Sequence, residues 1–289
     1  MKMSISKISS RVSAIALVGL VAACAQAQGG VALVWSTNVV GFLPVQSTNT
    51  YTVLACPFTQ VAWTGGLPTA FADLIKTKQL TVGGTPETSD QLIAYDHTNK
   101  VYTYYWLKDV SGTNRWETMT TYKVTVTNLS ESSESVFPPA PDEKVLTRGY
   151  TFWLKRLNGG APHAIYMHGQ YNETKQIMEI KAGTSGKPGY NFVGNGRLNS
   201  LDLNSLNWTN KAYAAAPGLS DEIVIVDEKG IYKNYYYLTG SGTSWDGKWM
   251  QLVRNGSNTV FGAVNPIPPG VGFWYVRRGS GDFSISIKD

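Results

Sequence analysis

The sequence predicts an all-β protein built as two tandem, homologous β-sandwich-like domains, each with one short helix. Three observations carry that expectation. Charged residues make up only 16% of the chain while 29 Gly, 16 Tyr and 9 Trp are present, and aromatic and β-branched side chains suit a pleated, half-buried surface. Short runs of period-two alternation end in turn residues. Finally, one arrangement of motifs is written twice. Gly149-Tyr-Thr-Phe152-Trp153 and Gly270-Val-Gly-Phe273-Trp274 match, each followed three positions beyond its Trp by an arginine, Arg156 and Arg277.

The first residues read as an export signal. Lys2, Lys7 and Arg11 form a positive region before a short apolar core, Val12 to Ala23. Such a core is too short to cross a bilayer. Ala25-Gln26-Ala27 fits an ordinary signal peptidase, which makes 1–27 the leader. Val21-Ala22-Ala23-Cys24 fits a bacterial lipobox, which would leave Cys24 lipidated; the well-formed small-x-small pattern favours the ordinary site. The expected location is therefore extracellular or at the bacterial cell surface. Removing Lys2, Lys7 and Arg11 leaves 22 basic against 20 acidic residues and lowers the formal charge from +5 to +2. The basic balance is partly a property of the leader, so neither nucleic acid nor a membrane surface is an expected partner. Cys56 is then the one cysteine of the mature chain. It sits in the apolar run Tyr51 to Phe58 and reads as a small buried hydrophobe rather than a reactive thiol.

At an offset of 131, Ser89 to Leu107 matches Ser220 to Leu238 without a gap. Ser89-Asp90 meets Ser220-Asp221, Asp96 meets Asp227, and Tyr104-Tyr105 meets Tyr235-Tyr236. The Phe-Trp motif matches at an offset of 121. The surplus in the first copy is the polar, proline-rich stretch 118–147, with Asn128 to Ser135 and Pro138-Pro-Ala-Pro141, expected as a loop. Upstream, Asn38-Val-Val-Gly-Phe42 aligns with Gln176 to Ile180, and Tyr51-Thr-Val53 with Tyr190-Asn-Phe192. The repeats are placed at 35–169 and 170–289, a duplicated domain rather than a solenoid.

Within each unit a hairpin is expected. Gln91 to Tyr95 and Lys100 to Leu107 flank Asp96-His-Thr-Asn99, and Glu222 to Val226 and Ile231 to Leu238 flank Asp227-Glu-Lys-Gly230. Asp opens such a turn by bonding its own backbone, and Gly230 supplies a positive φ. Leu67, Phe71, Leu74 and Ile75 recur at helical spacing after Pro68. Leu198 to Leu206 is the candidate counterpart.

The aromatic hairpin strand is the functional lead. Tyr102, Tyr104 and Trp106 share one face and Tyr235 and Tyr237 one face of the second copy, and both sides of each strand carry large rings. Unless the sheet is covered twice, one row is exposed and can stack on sugar rings or meet a protein. Burial by a loop or by the other repeat is the competing reading. In each Phe-Trp pair one ring is expected in the core, with Arg156 and Arg277 stacking on rings. No catalytic residue is nominated: Asp90, Asp221, Asp96 and Asp227 are explained by turn and strand-end bonding, and no carboxylate pair spans a cleft. His163 and His168 fall on opposite faces of a predicted strand, so no metal site is expected, and no cofactor motif occurs.

The order of parts, from the Asn-Val-Val-Gly strand through the aromatic hairpin to Gly-x-x-Phe-Trp, resembles a loose group of exported bacterial β-repeat proteins. The second unit departs from it, having Gln176-Ile-Met-Glu179 in place of the first motif. The resemblance implies export and a β-repeat fold and transfers no activity. The expected function is a non-catalytic structural or adhesive component of the cell envelope or extracellular matrix, its partners other copies of itself or envelope components. A carbohydrate-binding protein using the aromatic rows is the alternative, and a hydrolase with an unrecognised site the third reading.

Overall fold

The computed structural model describes residues 39–46, 51–58, 71, 74–75, 80–96, 101–119, 146, 148–157, 164–171, 175–184, 186–227, 229–240, 242–255 and 258–288. The expected leader, Cys24, the turn after Asp96, His163 and nearly all of the stretch 118–147 lie outside these residues. The chain from Thr37 to Asp289 forms one compact unit, and it is all-β. Among the described residues no helix is long and apolar enough to cross a membrane.

The strands are β1 (Val39–Gln46), β2 (Tyr51–Ala55), β3 (Gln91–Asp96), β4 (Val101–Val110), β5 (Thr113–Thr118), β6 (Thr151–Lys155), β7 (Ala164–Tyr171), β8 (Gln176–Ile180), β9 (Gly189–Gly194), β10 (Glu222–Val226), β11 (Tyr232–Leu238), β12 (Lys248–Asn255), β13 (Asn258–Ala263), β14 (Gly272–Arg277) and β15 (Phe283–Ile287). The first sheet runs β2-β6-β3-β4-β5, the second β9-β14-β10-β11-β12-β13. Strand for strand the two orders agree, β13 being an addition to the second. Each sheet carries an antiparallel ribbon, β1 with β7 and β8 with β15.

Alternation assigns each core. Leu43, Val45, Ile165 and Met167 of the β1–β7 ribbon pack with Leu54, Leu92, Tyr105, Leu107 and Phe152. Met178, Ile180, Ile285 and Ile287 of the other ribbon pack with Ile223, Tyr235, Tyr237, Trp249 and Phe273. Each side is thus a sheet with a strand ribbon over one face, the two-layer arrangement that hides an apolar surface. Phe71 and Leu74 are helical, with the Ile75 N–H donating to the Phe71 carbonyl at 2.9 Å, and all three residues fill the first core. Among the described residues of the second side there is a single 3-10 turn, Leu203–Ser205. Cys56 is fully buried in the first core, and burial pushes its thiol up to about 12. Gly149 and Gly270, at φ of 84° and 69°, turn the chain into β6 and β14, a backbone state that costs glycine nothing.

Equivalent hydrogen bonds fix the correspondence between the sides. The Leu107 N–H donates to the Asp90 carbonyl and the Tyr237 N–H to the Asp221 carbonyl, both at 3.1 Å. Leu107 therefore corresponds to Tyr237, not to Leu238 as the ungapped match has it. The cause is the hairpin turn. Asp96 pairs with Val101, whereas the Asp227 N–H bonds Ile231, so the second turn is one residue shorter. A one-residue slip exchanges the faces of every later side chain.

Candidate functional site

The slip decides where the sequence-predicted rings stand. Tyr235 and Tyr237 correspond to Tyr105 and Leu107, whose side chains are core. They are accordingly buried, at 2% and 7% exposure, and burial raises both phenols above their ordinary range. Tyr102, Tyr104 and Trp106 lie on the opposite face of their sheet, with Asn234 and Tyr236 as the structural counterparts of Tyr104 and Trp106. The five residues do not form two equivalent rows. Trp106 is only 9% exposed, with the Lys108 ammonium 5.4 Å from its ring centre, and Tyr104 is half-buried. Tyr102, 40% exposed, is the open ring of the set. Burial, then the neighbouring Tyr95 and Tyr104, raise its phenol above the ordinary range, so it remains a neutral hydroxyl-bearing ring.

Tyr102 belongs to an aromatic seam where the outer faces of the two sheets meet. One ring of each pair is core, as expected: Phe152 and Phe273 point inward, and their neighbours Trp153 and Trp274 point to the seam, half-buried. Trp153 stacks on Phe192 at 3.8 Å and 17°. Trp274 lies 4.7 Å from Phe192, 5.7 Å from Trp153 and 6.0 Å from Tyr95. Tyr102 closes the run at 4.8 Å from Tyr95 and 5.7 Å from Trp153. Tyr95 and Phe192 were not singled out in the sequence. Their signal was there as mismatches, since Tyr95 meets Val226 and Phe192 meets Val53 in the aligned repeats. Close backbone approach makes the seam possible: a Cβ on Gly194 would stand 2.4 Å from that of Ala55, and one on Gly272 2.3 Å from the Thr151 methyl. β2 and β14 are joined there by the Leu54–Val271 bridge.

Asp90, Asp221 and Asp227 are each held by backbone and basic donors. Asp90 is fully buried and accepts from the Thr81 N–H at 3.0 Å and the Leu157 N–H at 2.8 Å, with the Arg156 guanidinium at 3.8 Å. Asp221, also fully buried, accepts from the Tyr213, Arg278 and Gly279 N–H groups, from the Tyr275 hydroxyl at 2.7 Å and from Arg277 at 2.6 Å. Arg277 also lies over the Phe283 ring at 4.9 Å, the stacking expected of it. Asp227 caps its turn, accepting from the Lys229 and Ile231 N–H groups at 2.9 Å and from Lys233 at 3.1 Å. Gly230 has the positive φ expected of it, 77°. Among the described residues no group of three His, Cys, Asp or Glu is placed to hold a metal. What the seam offers chemically is neutral ring surface and hydroxyls.

Comparison of the chain with protein-family models, curated proteins and solved structures finds no match.

Proposed function

We propose that the chain is an exported, non-catalytic protein serving as a structural or adhesive component of the cell envelope or extracellular matrix, and that it works by association with further copies of itself. The observation that carries this reading is the outer edge of the second sheet. β13 ends the sheet, and its sequence, Asn258-Thr-Val-Phe-Gly-Ala263, holds no charge and no proline. Val260 on it and Leu252 on its neighbour are 40% and 43% exposed. Soluble proteins ordinarily guard such an edge with charge, proline or a bulge, because its unpaired N–H and C=O groups accept another strand. β5, the outer edge of the first sheet, carries such a guard in the Arg115–Glu117 ion pair. The full use of Asp90 and Asp221 by backbone and arginine donors also supports a non-catalytic role.

Size-exclusion chromatography and electron microscopy of the mature protein test the proposal. Concentration-dependent assembly is expected, with Val260→Lys shifting it toward monomer. A wild-type protein that stays monomeric and associates with no envelope fraction overturns it. The exposure of Tyr102 favours glycan binding as a second reading: glycan-array signal lost in Tyr102→Ala would support it, and silence across a broad array would remove it.

A further inference from the structure

The pairings at the seam correspond between the two sides, and one set of corresponding positions borders a cleft. Val53 pairs with Trp153 across β2 and β6, as Phe192 pairs with Trp274 across β9 and β14. Val226 pairs with Tyr232, as Tyr95 pairs with Tyr102. On the one side of the seam Phe192 and Tyr95 are rings packed on Trp274. On the other, their equivalents Val53 and Val226 are short branched residues, and both border a cleft of about 540 Å³. That volume lies within the ordinary range for small-molecule sites, roughly 300–1,000 Å³.

The lining mixes apolar side chains, Leu43 and Val45 of β1 and prolines of the 265–271 segment, with the polar Thr52 and Asn265. Lys229, Lys233 and Asp227 also line it. Asp227 is held by Lys233 and two backbone N–H groups, while the side chain of Lys229 is exposed. Among the described lining residues two lysines therefore stand against one aspartate, beside the two positions where the other side carries rings.

We propose that this cleft binds a small amphipathic molecule consisting of a flat apolar ring system with an anionic group, an aryl carboxylate in chemical class. The ring lies against Val53 and Val226, the positions where the other side carries Phe192 and Tyr95, and the carboxylate meets the Lys229 ammonium. This site is separate from the β13 edge and does not depend on self-association.

The test uses 2-naphthoate with the mature protein. In the wild type, methyl NMR signals of Leu43, Val53 and Val226 are expected to shift saturably on titration, while those of Leu252 and Val260 stay still. Val53→Phe and Val226→Tyr each write the other repeat's ring into the cleft. Each is expected to weaken binding at least tenfold without lowering the melting temperature. Lys229→Ala should reduce the preference for 2-naphthoate over uncharged 2-naphthol several-fold. Absence of saturable shifts up to millimolar 2-naphthoate overturns the proposal, as do shifts confined to β13 or undiminished binding in both ring variants. The methyl map on the wild type decides the matter even if a ring variant does not fold.

Discussion

Asp90 and Asp221 occupy the same place in the two halves, at the foot of β3 and of β10, yet they are held differently. Asp221 binds the guanidinium of Arg277 at 2.6 Å and the hydroxyl of Tyr275 at 2.7 Å. Around Asp90 the guanidinium of Arg156 stands at 3.8 Å, and Leu154 occupies the position equivalent to Tyr275. Both halves thus keep backbone N–H donors on the buried carboxylate, and the second adds a tight ionic clasp between β14 and the start of β10. The difference separates what the two halves share from what they do not. A buried carboxylate ties the chain before the hairpin to the end of the Phe-Trp strand in both halves, while its partners beyond the backbone differ.

Removing the carboxylates is the largest perturbation of this comparison. Asp221→Ala leaves the buried Arg277 without its counter-ion and is expected to cost about 3–5 kcal/mol, the range for breaking a buried pair from one side. Asp90→Ala takes the acceptor from two backbone N–H groups and the more distant carboxylate from Arg156, and is expected to cost about 1–3 kcal/mol. Chemical denaturation of the mature protein checks both. Equal losses would mean that the backbone bonds carry the stability in both halves and that the Arg277 clasp adds nothing net.

The strand content and the hairpins were legible in the sequence because alternation and turn chemistry are local signals. Asp90 and Asp221 were also correctly placed as backbone-bonding residues. The face of the second aromatic strand was not legible. Tyr104-Tyr105 and Tyr235-Tyr236 align in letters, and the shorter turn after Asp227 is hidden because Tyr235, Tyr236 and Tyr237 stand in a row, so the slipped register still sets a tyrosine opposite Tyr105 and Trp106. Only the hydrogen bonds to the Asp90 and Asp221 carbonyls resolve it. Similarly, Trp153 and Trp274 were expected on the faces opposite Phe152 and Phe273, which alternation dictates. That they meet each other across the repeats is a tertiary fact with no local signature. The buried tryptophans Trp116 and Trp249 pair with Leu107 and Tyr237, a correspondence the sequence hides behind connections of unequal length.

An alkaline titration separates the halves next. Burial lifts the Cys56 thiol in the first core to about 12. In the second half the Tyr275 phenol is held well above its ordinary range by burial and by the neighbouring Asp221 carboxylate, with Arg277 opposing. Both groups stay protonated longer in the folded state than in the unfolded one. Their stabilising effect is complete at neutral pH, where both states hold the proton, and is lost as pH rises, because the unfolded chain ionises first. For Cys56 the loss begins near the free thiol value of about 8.5, and each pH unit beyond it removes up to about 1.4 kcal/mol. For Tyr275 it begins only near pH 10. Between these two points Cys56→Ala should flatten the fall in unfolding free energy, while Tyr275→Phe should leave that slope unchanged and act only at higher pH. A slope below pH 10 that responds to Tyr275→Phe would contradict this assignment.

The smallest effect concerns the seam itself. Phe192 stacks nearly parallel to Trp153 at 3.8 Å, and meets its own cross-strand partner Trp274 at 4.7 Å and 30°. Area burial alone would make either contact additive with the removal of its partner, since each truncation loses its own surface. Specific ring packing adds about 0.5–1.5 kcal/mol beyond area for a well-arranged pair. A double-mutant cycle of Trp153→Leu with Phe192→Leu is therefore expected to show coupling in that range, larger than the cycle of Trp274→Leu with Phe192→Leu. That order would mean the contact between the repeats is more specific than the contact within one of them. The reverse order would place the ring energy inside the second sheet and leave the two halves joined mainly by the close backbone approach at Gly194 and Gly272.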